Sequence, residues 1–304
     1  MSLFEAMKKI GIKDKKVYGS HDPIKDTVIV PDPYYTKNIS YATIPRSLLE
    51  GLFIQGNKLG LKFLLDLHAF PGGSSDGTYN GIYPSKPVFW RESVQLGSSP
   101  RISLQEAGLL IVEAAIKWIE GLDDDVKKAV YGLSPMNEPA HLAGFQNPTF
   151  AHPDEVLVWL AEATDLFKNS KLVDQGMKMY MQVIETAFPG GSFNSMVPSW
   201  WKNTTSKKDR ETWAVFDMHW YTAWGTKAAL LPGEAVLCSR PLDEIVEVLT
   251  PGIVGFAKSF EENFDGQRAT SEFSASTNAD ALVACSDTAI TKAFMLKQAK
   301  SVKP

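Results

Sequence analysis

Two glutamates that each follow an apolar run are the residues best suited to chemistry in this chain. Glu138 lies in the segment Tyr131–Ala140, which reads Tyr-Gly-Leu-Ser-Pro-Met-Asn-Glu-Pro-Ala, and Glu272 lies in the run Ala269–Phe273. A pair of carboxyl groups at strand ends suits the hydrolysis of a glycosidic bond: one protonates the leaving oxygen, and the other attacks the anomeric carbon or activates water. The simpler alternative is that each glutamate is a surface residue or a salt-bridge partner.

Asn137 and a group of aromatic residues supply the contacts that sugar binding needs. Asn137 directly precedes Glu138, and its amide can donate a hydrogen bond to a sugar hydroxyl. The apolar faces of sugar rings pack on flat aromatic side chains. Taken singly, each ring is more often a packing residue. The aromatic residues that follow the apolar runs are Phe70, Tyr79, Tyr83, Phe89, Trp90, Trp200, Trp201, Trp220, Tyr221 and Trp224.

Apolar runs and amphipathic stretches alternate along the chain and predict the elements that hold these residues. Strands that alternate with helices predict an α/β fold of the (β/α)8 TIM-barrel type, with its site at the C-terminal ends of the strands. The predicted strands are Leu61–Leu67, Ala129–Leu133, Lys178–Ile184, Trp213–Met218 and Ala269–Phe273, and the predicted helices are Ile44–Gly60, Leu104–Leu122, Asp154–Phe167, Val197–Trp201, Leu242–Phe264 and Thr288–Lys300.

The chain is expected to form one domain, because no linker or change of composition divides residues 1–304. Residues 1–40 contain Gly-Ser-His-Asp-Pro and Pro-Asp-Pro segments that interrupt any long element. We expect this part to be an irregular surface segment with one short extended piece, Thr27–Val30.

Charge and hydropathy exclude two classes of partner. A formal net charge of -4 and a pI near 5.8 provide no basic face for a nucleic acid. No stretch is apolar enough to predict a membrane-spanning helix, and the N-terminus lacks the features of a signal peptide. The carboxylates and aromatic residues instead predict a polysaccharide or oligosaccharide as the binding partner, and the chain is expected to be a monomer.

No cofactor or metal is expected from the motifs. Asp66 and His68 have the spacing of a metal pair, but no second histidine cluster with ligand spacing accompanies them. The pairs Gly72-Gly73 and Gly190-Gly191 lack the lysine or the repeated glycines of a phosphate-binding loop.

Cysteine and asparagine patterns give weak indications of an extracellular protein. Cys238 and Cys285 are the only cysteines, and they could form one bridge or remain two separate buried thiols. Asn38 and Asn203 begin tripeptides of the glycosylation acceptor type, which also arise often by chance.

Four motifs in one order resemble glycoside hydrolase family 5, and most closely its exo-β-1,3-glucanase branch from fungi and oomycetes. They are Asp66–Gly73 (Asp-Leu-His-Ala-Phe-Pro-Gly-Gly), Met136–Pro139 (Met-Asn-Glu-Pro), His219–Tyr221 (His-Trp-Tyr) and Ser271–Phe273 (Ser-Glu-Phe). The resemblance extends over residues 40–300. Asn-Glu-Pro is a weak motif alone, whereas four motifs in this order are specific.

This resemblance implies a retaining β-glycosidase that hydrolyses β-glucan, with β-1,3-glucan as the expected substrate, by double displacement. It implies that Glu138 is the acid/base and Glu272 the nucleophile, and that Cys238 and Cys285 form a disulfide between two loops. It also implies an extracellular or cell-wall location for the full-length relative. The residues expected to contact substrate or to orient the nucleophile are Asn137, His68, His219, Tyr221, Trp224, Phe70 and Trp201.

The chain departs from the family in the number of strands. In the family the acid/base follows the fourth strand and the nucleophile the seventh, whereas Glu138 here follows the second apolar run and Glu272 the fifth. We therefore expect that the barrel is incomplete, without its first two strands and its last strand, and that stability and activity are low. The alternative function is a catalytically inactive carbohydrate-binding or cell-wall interaction protein derived from such an enzyme.

Overall fold

The computed structural model describes residues 28–31, 40–43, 46–75, 86–95, 100–139, 151–185, 192–221 and 261–274. Its helices and strands alternate along most of this length. In chain order they are β1 (Val28–Pro31), β2 (Ser40–Thr43), α1 (Arg46–Lys58), β3 (Phe63–Asp66), β4 (Ser93–Val94), β5 (Ile102–Ser103), α2 (Leu104–Glu120), α3 (Asp124–Lys127), β6 (Val130–Ser134), α4 (Pro153–Lys168), α5 (Lys171–Asp174), β7 (Lys178–Glu185), α6 (Ser192–Thr204), α7 (Lys207–Thr212), β8 (Ala214–Tyr221) and β9 (Gln267–Ser274).

Packing divides the chain into two compact units. The first unit comprises Met1–Met181 and Glu211–Ala214, and the second comprises Gln182–Arg210 and Val215–Pro304. The organisation of the whole chain as a single domain stays a prediction.

Parallel strands joined through helices form the sheet of the first unit. Strand β3 pairs with β6 in parallel, up to Asp66 opposite Ser134, and β6 pairs with β7 in parallel, with Gly132 opposite Lys178. Helices α2 and α3 lie between β3 and β6 in the chain, and α4 and α5 lie between β6 and β7. This β-α-β order confirms the predicted α/β class and is the order that TIM-barrel folds use.

Helix α2 shows why this part of the sequence is helical. Ser103 accepts a hydrogen bond from the N–H of Glu106, and the Glu106 carboxylate accepts one from the N–H of Ser103, which completes a capping box. The hydrogen bonds that its carboxylate accepts from the N–H and the hydroxyl of Ser103 hold the pKa of Glu106 below its usual range. Apolar residues at helical spacing then face the core, and Gly121 ends the helix. The buried residues are Leu104, Ala107, Gly108, Val112, Ile116 and Ile119.

Four aromatic rings form the centre of the core in the first unit. The ring of Phe70 packs edge-on against Phe89 and Trp159, with centroids 5.5 and 5.7 Å apart. Trp90 packs edge-on against Phe89 at 4.9 Å and donates its indole N–H to the Ser74 carbonyl. Such edge-to-face pairs add stability beyond the apolar area that they bury.

Strands β8 and β9 form the parallel pair of the second unit. Their register is irregular between Asp217 and His219, and beyond this point His219 lies opposite Glu272. The core behind them contains Phe216, which stacks on Phe264 at 3.8 Å and packs edge-on against Trp201 at 5.2 Å.

An ion pair between the buried Arg210 and the exposed Asp265 precedes β9 in the second unit. The Arg210 guanidinium contacts the Asp265 carboxylate at 2.9 and 3.0 Å and also donates to the Thr205 carbonyl. Burial raises the pKa of the Asp265 carboxyl, but the hydrogen bond and the charge of Arg210 outweigh burial and keep this pKa below its usual range. Gly266 follows with a φ of 91°, and a Cβ there would lie 2.7 Å from the Arg210 carbonyl oxygen. The close approach therefore requires a glycine.

The N-terminal part contains an antiparallel pair. Strands β1 and β2 pair with each other in antiparallel orientation, in a two-stranded sheet of their own. Strand β1 matches the extended piece predicted at Thr27–Val30. Neither strand is a parallel neighbour of β3. Within the described residues, no helix combines the length and the apolarity needed to cross a lipid bilayer.

All five predicted strands form, with ends that differ from the prediction by a few residues. The predicted helices at Ile44–Gly60, Leu104–Leu122 and Asp154–Phe167 correspond to α1, α2 and α4. The short helix predicted at Val197–Trp201 is the middle of the longer α6. The helices predicted at Leu242–Phe264 and Thr288–Lys300 lie almost entirely outside the described residues.

Candidate active site

Glu138 has a constrained backbone directly after the end of β6. Its φ is 41°, and it is the only non-glycine residue with a positive φ in the described part of the chain. The residue is 8 % exposed. The N–H of the preceding Asn137 donates to the Leu67 carbonyl at 2.9 Å, which joins the turn after β6 to the segment after β3. A strained and buried glutamate at a strand end is typical of a functional site, because strain of this kind persists only where the surrounding structure maintains it.

Two carboxamide or carboxylate oxygens of the site segments in the first unit, Oδ1 of Asn137 and Oδ1 of Asp66, are buried and have no hydrogen-bond partner among the described residues. Each such acceptor costs about 1–3 kcal/mol when it is left without a donor. Sugar hydroxyls are donors of the required kind. The first unit therefore contains acceptors that a hydroxyl-bearing ligand can satisfy.

His68 lies beside Asp66 after the end of β3. Its Nε2 is 3.1 Å from Asp66 Oδ2, and its side chain is 44 % exposed, so the imidazole is accessible to a ligand. In the first unit, Asp66 and His68 therefore form a polar pair that can contact a bound sugar.

Glu272 and His219 lie next to each other near the C-terminal ends of β9 and β8. His219 Nδ1 is 3.6 Å from Glu272 Oε2, slightly too far for a hydrogen bond but close enough for an electrostatic interaction. The side chain of His219 is 1 % exposed, whereas that of Glu272 is 43 % exposed. The carboxylate is therefore accessible to a substrate while the imidazole beside it is held inside the protein. Both residues were predicted to belong to the site.

Two further polar residues of this group were missed by the sequence analysis. Asp217 accepts hydrogen bonds from the N–H and the hydroxyl of Ser271, and Ser271 Oγ is 3.4 Å from His219 Nε2. The available signal was the position of Asp217, the single charged residue within the apolar run Trp213–Met218 and two residues before His219. A buried charge in a central strand requires polar partners.

The structure corrects the roles of two predicted substrate-binding aromatics. Phe70 and Trp201 have no exposed surface. Phe70 packs among the core rings of the first unit, and Trp201 packs on Phe216 and donates its indole N–H to the Asp265 carbonyl. A ring without exposed surface offers no face to a sugar. Packing in the core is therefore the role that the structure gives to both rings.

The other predicted residues are placed only in part. Tyr221 is the last residue of β8, and Asn203 lies exposed in α6, where its side chain is accessible to modification. Trp224, Cys238, Cys285 and Asn38 lie outside the described residues. The disulfide, the glycosylation sites and the roles of Tyr221 and Trp224 stay predictions.

Comparison with known proteins gives matches at the level of structure alone. The chain matches no protein-family profile, and no curated protein sequence is significantly similar to it. Its structure is similar to rutinosidase from Aspergillus niger, with 16% identity, a TM-score of 0.46, and coverage of 84% of this chain and 73% of that chain. It is also similar to endo-glycoceramidase II from Rhodococcus sp., with 14% identity, a TM-score of 0.33, and coverage of 79% of this chain and 64% of that chain. The chain thus spans slightly less than two thirds of the second protein, and its function has to be inferred from its own side chains.

Proposed function

We propose that this protein is a retaining β-glycosidase that hydrolyses β-glucan, with β-1,3-linked glucan as the preferred substrate. Glu138 is the acid/base that protonates the leaving oxygen and later activates water. Glu272 is the nucleophile that forms the glycosyl-enzyme intermediate. A monomeric state and an extracellular or cell-wall location belong to the same proposal.

The observation that carries the proposal is the strained backbone of the buried Glu138. A binding protein gains little from a glutamate with a φ of 41°, because a glycine or asparagine adopts this conformation at lower cost. An acid/base residue has to be a carboxylic acid at one fixed position, so the cost of the strain is offset by function. The buried acceptor atoms of Asn137 and Asp66 support a ligand that carries hydroxyl groups.

The accessible carboxylate of Glu272 supports the second half of the mechanism. Its position beside the buried His219 gives it a polar neighbour on one side, while its exposed part can approach an anomeric carbon. A nucleophile in a retaining glycosidase needs this combination of a fixed orientation and access to the sugar.

An inactive carbohydrate-binding protein is the competing function. Such a protein needs the polar acceptors after β3 and β6 for binding, but it has no turnover and therefore does not depend on the carboxylates of Glu138 and Glu272. The two functions therefore differ in the expected effect of replacing a glutamate with the isosteric glutamine.

The test is hydrolysis of an aryl β-glucoside and of laminarin by the wild-type chain and by Glu272→Gln and Glu138→Gln. We expect turnover with retention of the anomeric configuration, and a loss of kcat of at least about 1000-fold in Glu272→Gln, because the nucleophile is removed. Glu138→Gln should lose less on an aryl glucoside than on laminarin, because an activated phenol leaves without a proton from an acid. A folded wild-type chain that binds laminarin without hydrolysing it would instead identify the inactive binding protein.

A further inference from the structure

Asp217, Ser271, His219 and Glu272 form a continuous series of polar contacts within the second unit. The Ser271 N–H donates to Asp217 Oδ1 at 2.9 Å, and the Ser271 hydroxyl donates to Asp217 Oδ2. Ser271 Oγ is 3.4 Å from His219 Nε2, and His219 Nδ1 is 3.6 Å from Glu272 Oε2. Asp217 and His219 are both buried. The series therefore runs from a buried carboxylate through a hydroxyl and an imidazole to an accessible carboxylate.

The protons available to this series determine which nitrogen of His219 is the donor. An ionised carboxylate only accepts hydrogen bonds, and a serine hydroxyl has one proton to donate. Because Ser271 donates its proton to Asp217, its oxygen can only accept from His219. Nε2 is therefore the donor to Ser271, and the Nδ1 edge of the ring faces Glu272.

The same geometry argues against a nucleophilic role for Ser271. In a serine-histidine nucleophile, the hydroxyl donates its proton to the imidazole, which acts as the base. In this protein the hydroxyl of Ser271 points to Asp217, and its backbone N–H is bound to the same carboxylate. Ser271 is therefore fixed as an acceptor for the ring rather than activated for attack.

We propose that Asp217 and Ser271 are positioning residues that fix the His219 ring and thereby orient the Glu272 carboxylate for attack on a sugar. This proposal rests on the proposed function, in which Glu272 is the nucleophile. The irregular register between Asp217 and His219 allows both side chains to contact Ser271 on the neighbouring strand. A misplacement of about 1 Å in a reacting group can lower a rate about 100-fold, so fixing the ring has a measurable effect on catalysis.

Asp217→Asn is the most direct test, because asparagine has the same shape but also donates hydrogen bonds. Its amide can donate to Ser271 Oγ, which frees the Ser271 proton for His219 Nε2. The proton on the ring then moves to Nδ1. ¹⁵N NMR of the histidine ring nitrogens, on the full chain without substrate and at one fixed pH, measures this directly. His219→Gln identifies the His219 signals.

We expect a protonated Nε2 in the wild type and in Ser271→Thr, which keeps the hydroxyl, and a protonated Nδ1 in Asp217→Asn. In Ser271→Ala the Nε2 proton of His219 should exchange faster with water than in the wild type, because the hydroxyl oxygen that accepts this proton is gone. Ser206→Ala is the matched control, since it removes a hydroxyl that caps α7 and should leave the His219 signals unchanged.

An unprotonated Nε2 in the wild type, or signals that are identical in Asp217→Asn and the wild type, would overturn the proposal. Melting temperatures show that each variant is folded, and Ser271→Ala replaces Asp217→Asn if the latter does not fold.

Steady-state kinetics on the aryl glucoside provide the second measurement. Asp217→Asn should lower kcat about 10- to 100-fold with a change of less than about threefold in KM, and Ser271→Thr should retain most of the activity. Hydrolysis with an unchanged kcat in Asp217→Asn overturns the positioning role and leaves the proposed function intact. A further outcome is a folded chain that shows the expected NMR pattern and hydrolyses no glycoside. That result overturns the proposed function, while the hydrogen bonds of His219, Ser271 and Asp217 remain as described.

Discussion

Glu138 has a backbone conformation that lowers the stability of the fold. Such a conformation persists where function requires it. Replacement by glycine removes the steric cost of a φ of 41°, whereas replacement by alanine keeps it. Both variants lack the carboxylate and should be inactive. We expect Glu138→Gly to be more stable than Glu138→Ala by about 1 kcal/mol, measured as the free energy of unfolding in urea. Equal stabilities of the two variants would show that the residue carries no backbone strain.

Phe70 was expected to contact substrate, and its burial leads to a different prediction. Phe70→Ala should destabilise the protein by about 3–5 kcal/mol, because it leaves a cavity beside Phe89 and Trp159. Phe70→Leu should cost less, because it refills most of this volume. Denaturant unfolding checks both values. A Phe70→Ala variant of unchanged stability but a higher KM would instead indicate a sugar-binding ring.

At the scale of elements, the turn into β9 depends on a glycine for two separable reasons. Gly266 has a φ of 91°, and a Cβ there would meet the backbone of Arg210, whereas Gly176 has a φ of 76° and open space around it. Gly176→Ala therefore measures the conformational cost alone, about 1 kcal/mol. We expect Gly266→Ala to cost about 2–4 kcal/mol, because the steric clash is added. Similar losses of unfolding free energy in the two variants would contradict the close approach to Arg210.

The elements could largely be predicted from sequence because local patterns determine them. Buried parallel strands such as β6 read as apolar runs, and α2 carries both its amphipathic spacing and its capping box within the chain segment itself. The first and last residues of the elements were less predictable. The helix α6, for example, extends on both sides of the predicted Val197–Trp201.

The parts of the site that could not be predicted depend on contacts between distant segments. A sequence does not reveal whether Phe70 faces solvent or core, because burial is decided by Phe89 and Trp159, which lie elsewhere in the chain. The hydrogen bonds of Asp217 join residues 54 positions apart. The glutamates were predicted because catalytic chemistry restricts the residue types that can perform it, and His219 was predicted because its motif resembles that of a known family.

Across the whole molecule, the two proposed catalytic carboxylates have different local surroundings. Glu138 is buried and strained after β6, and Glu272 is accessible and accompanied by His219 on β8. An acid that must donate and recover a proton and a nucleophile that must reach a sugar require different surroundings. The two settings fit the two halves of a double displacement.

Covalent trapping of the nucleophile is the decisive test of the role proposed for Glu272. A 2-deoxy-2-fluoro-β-glucoside with an activated leaving group forms a long-lived glycosyl ester in a retaining glycosidase, and mass spectrometry of proteolytic peptides locates it. We expect one added fluoroglucosyl group per chain, attached to Glu272, and no adduct in Glu272→Gln. A folded wild-type chain that hydrolyses the aryl glucoside and carries the label on another residue, or remains unlabelled, would contradict this role.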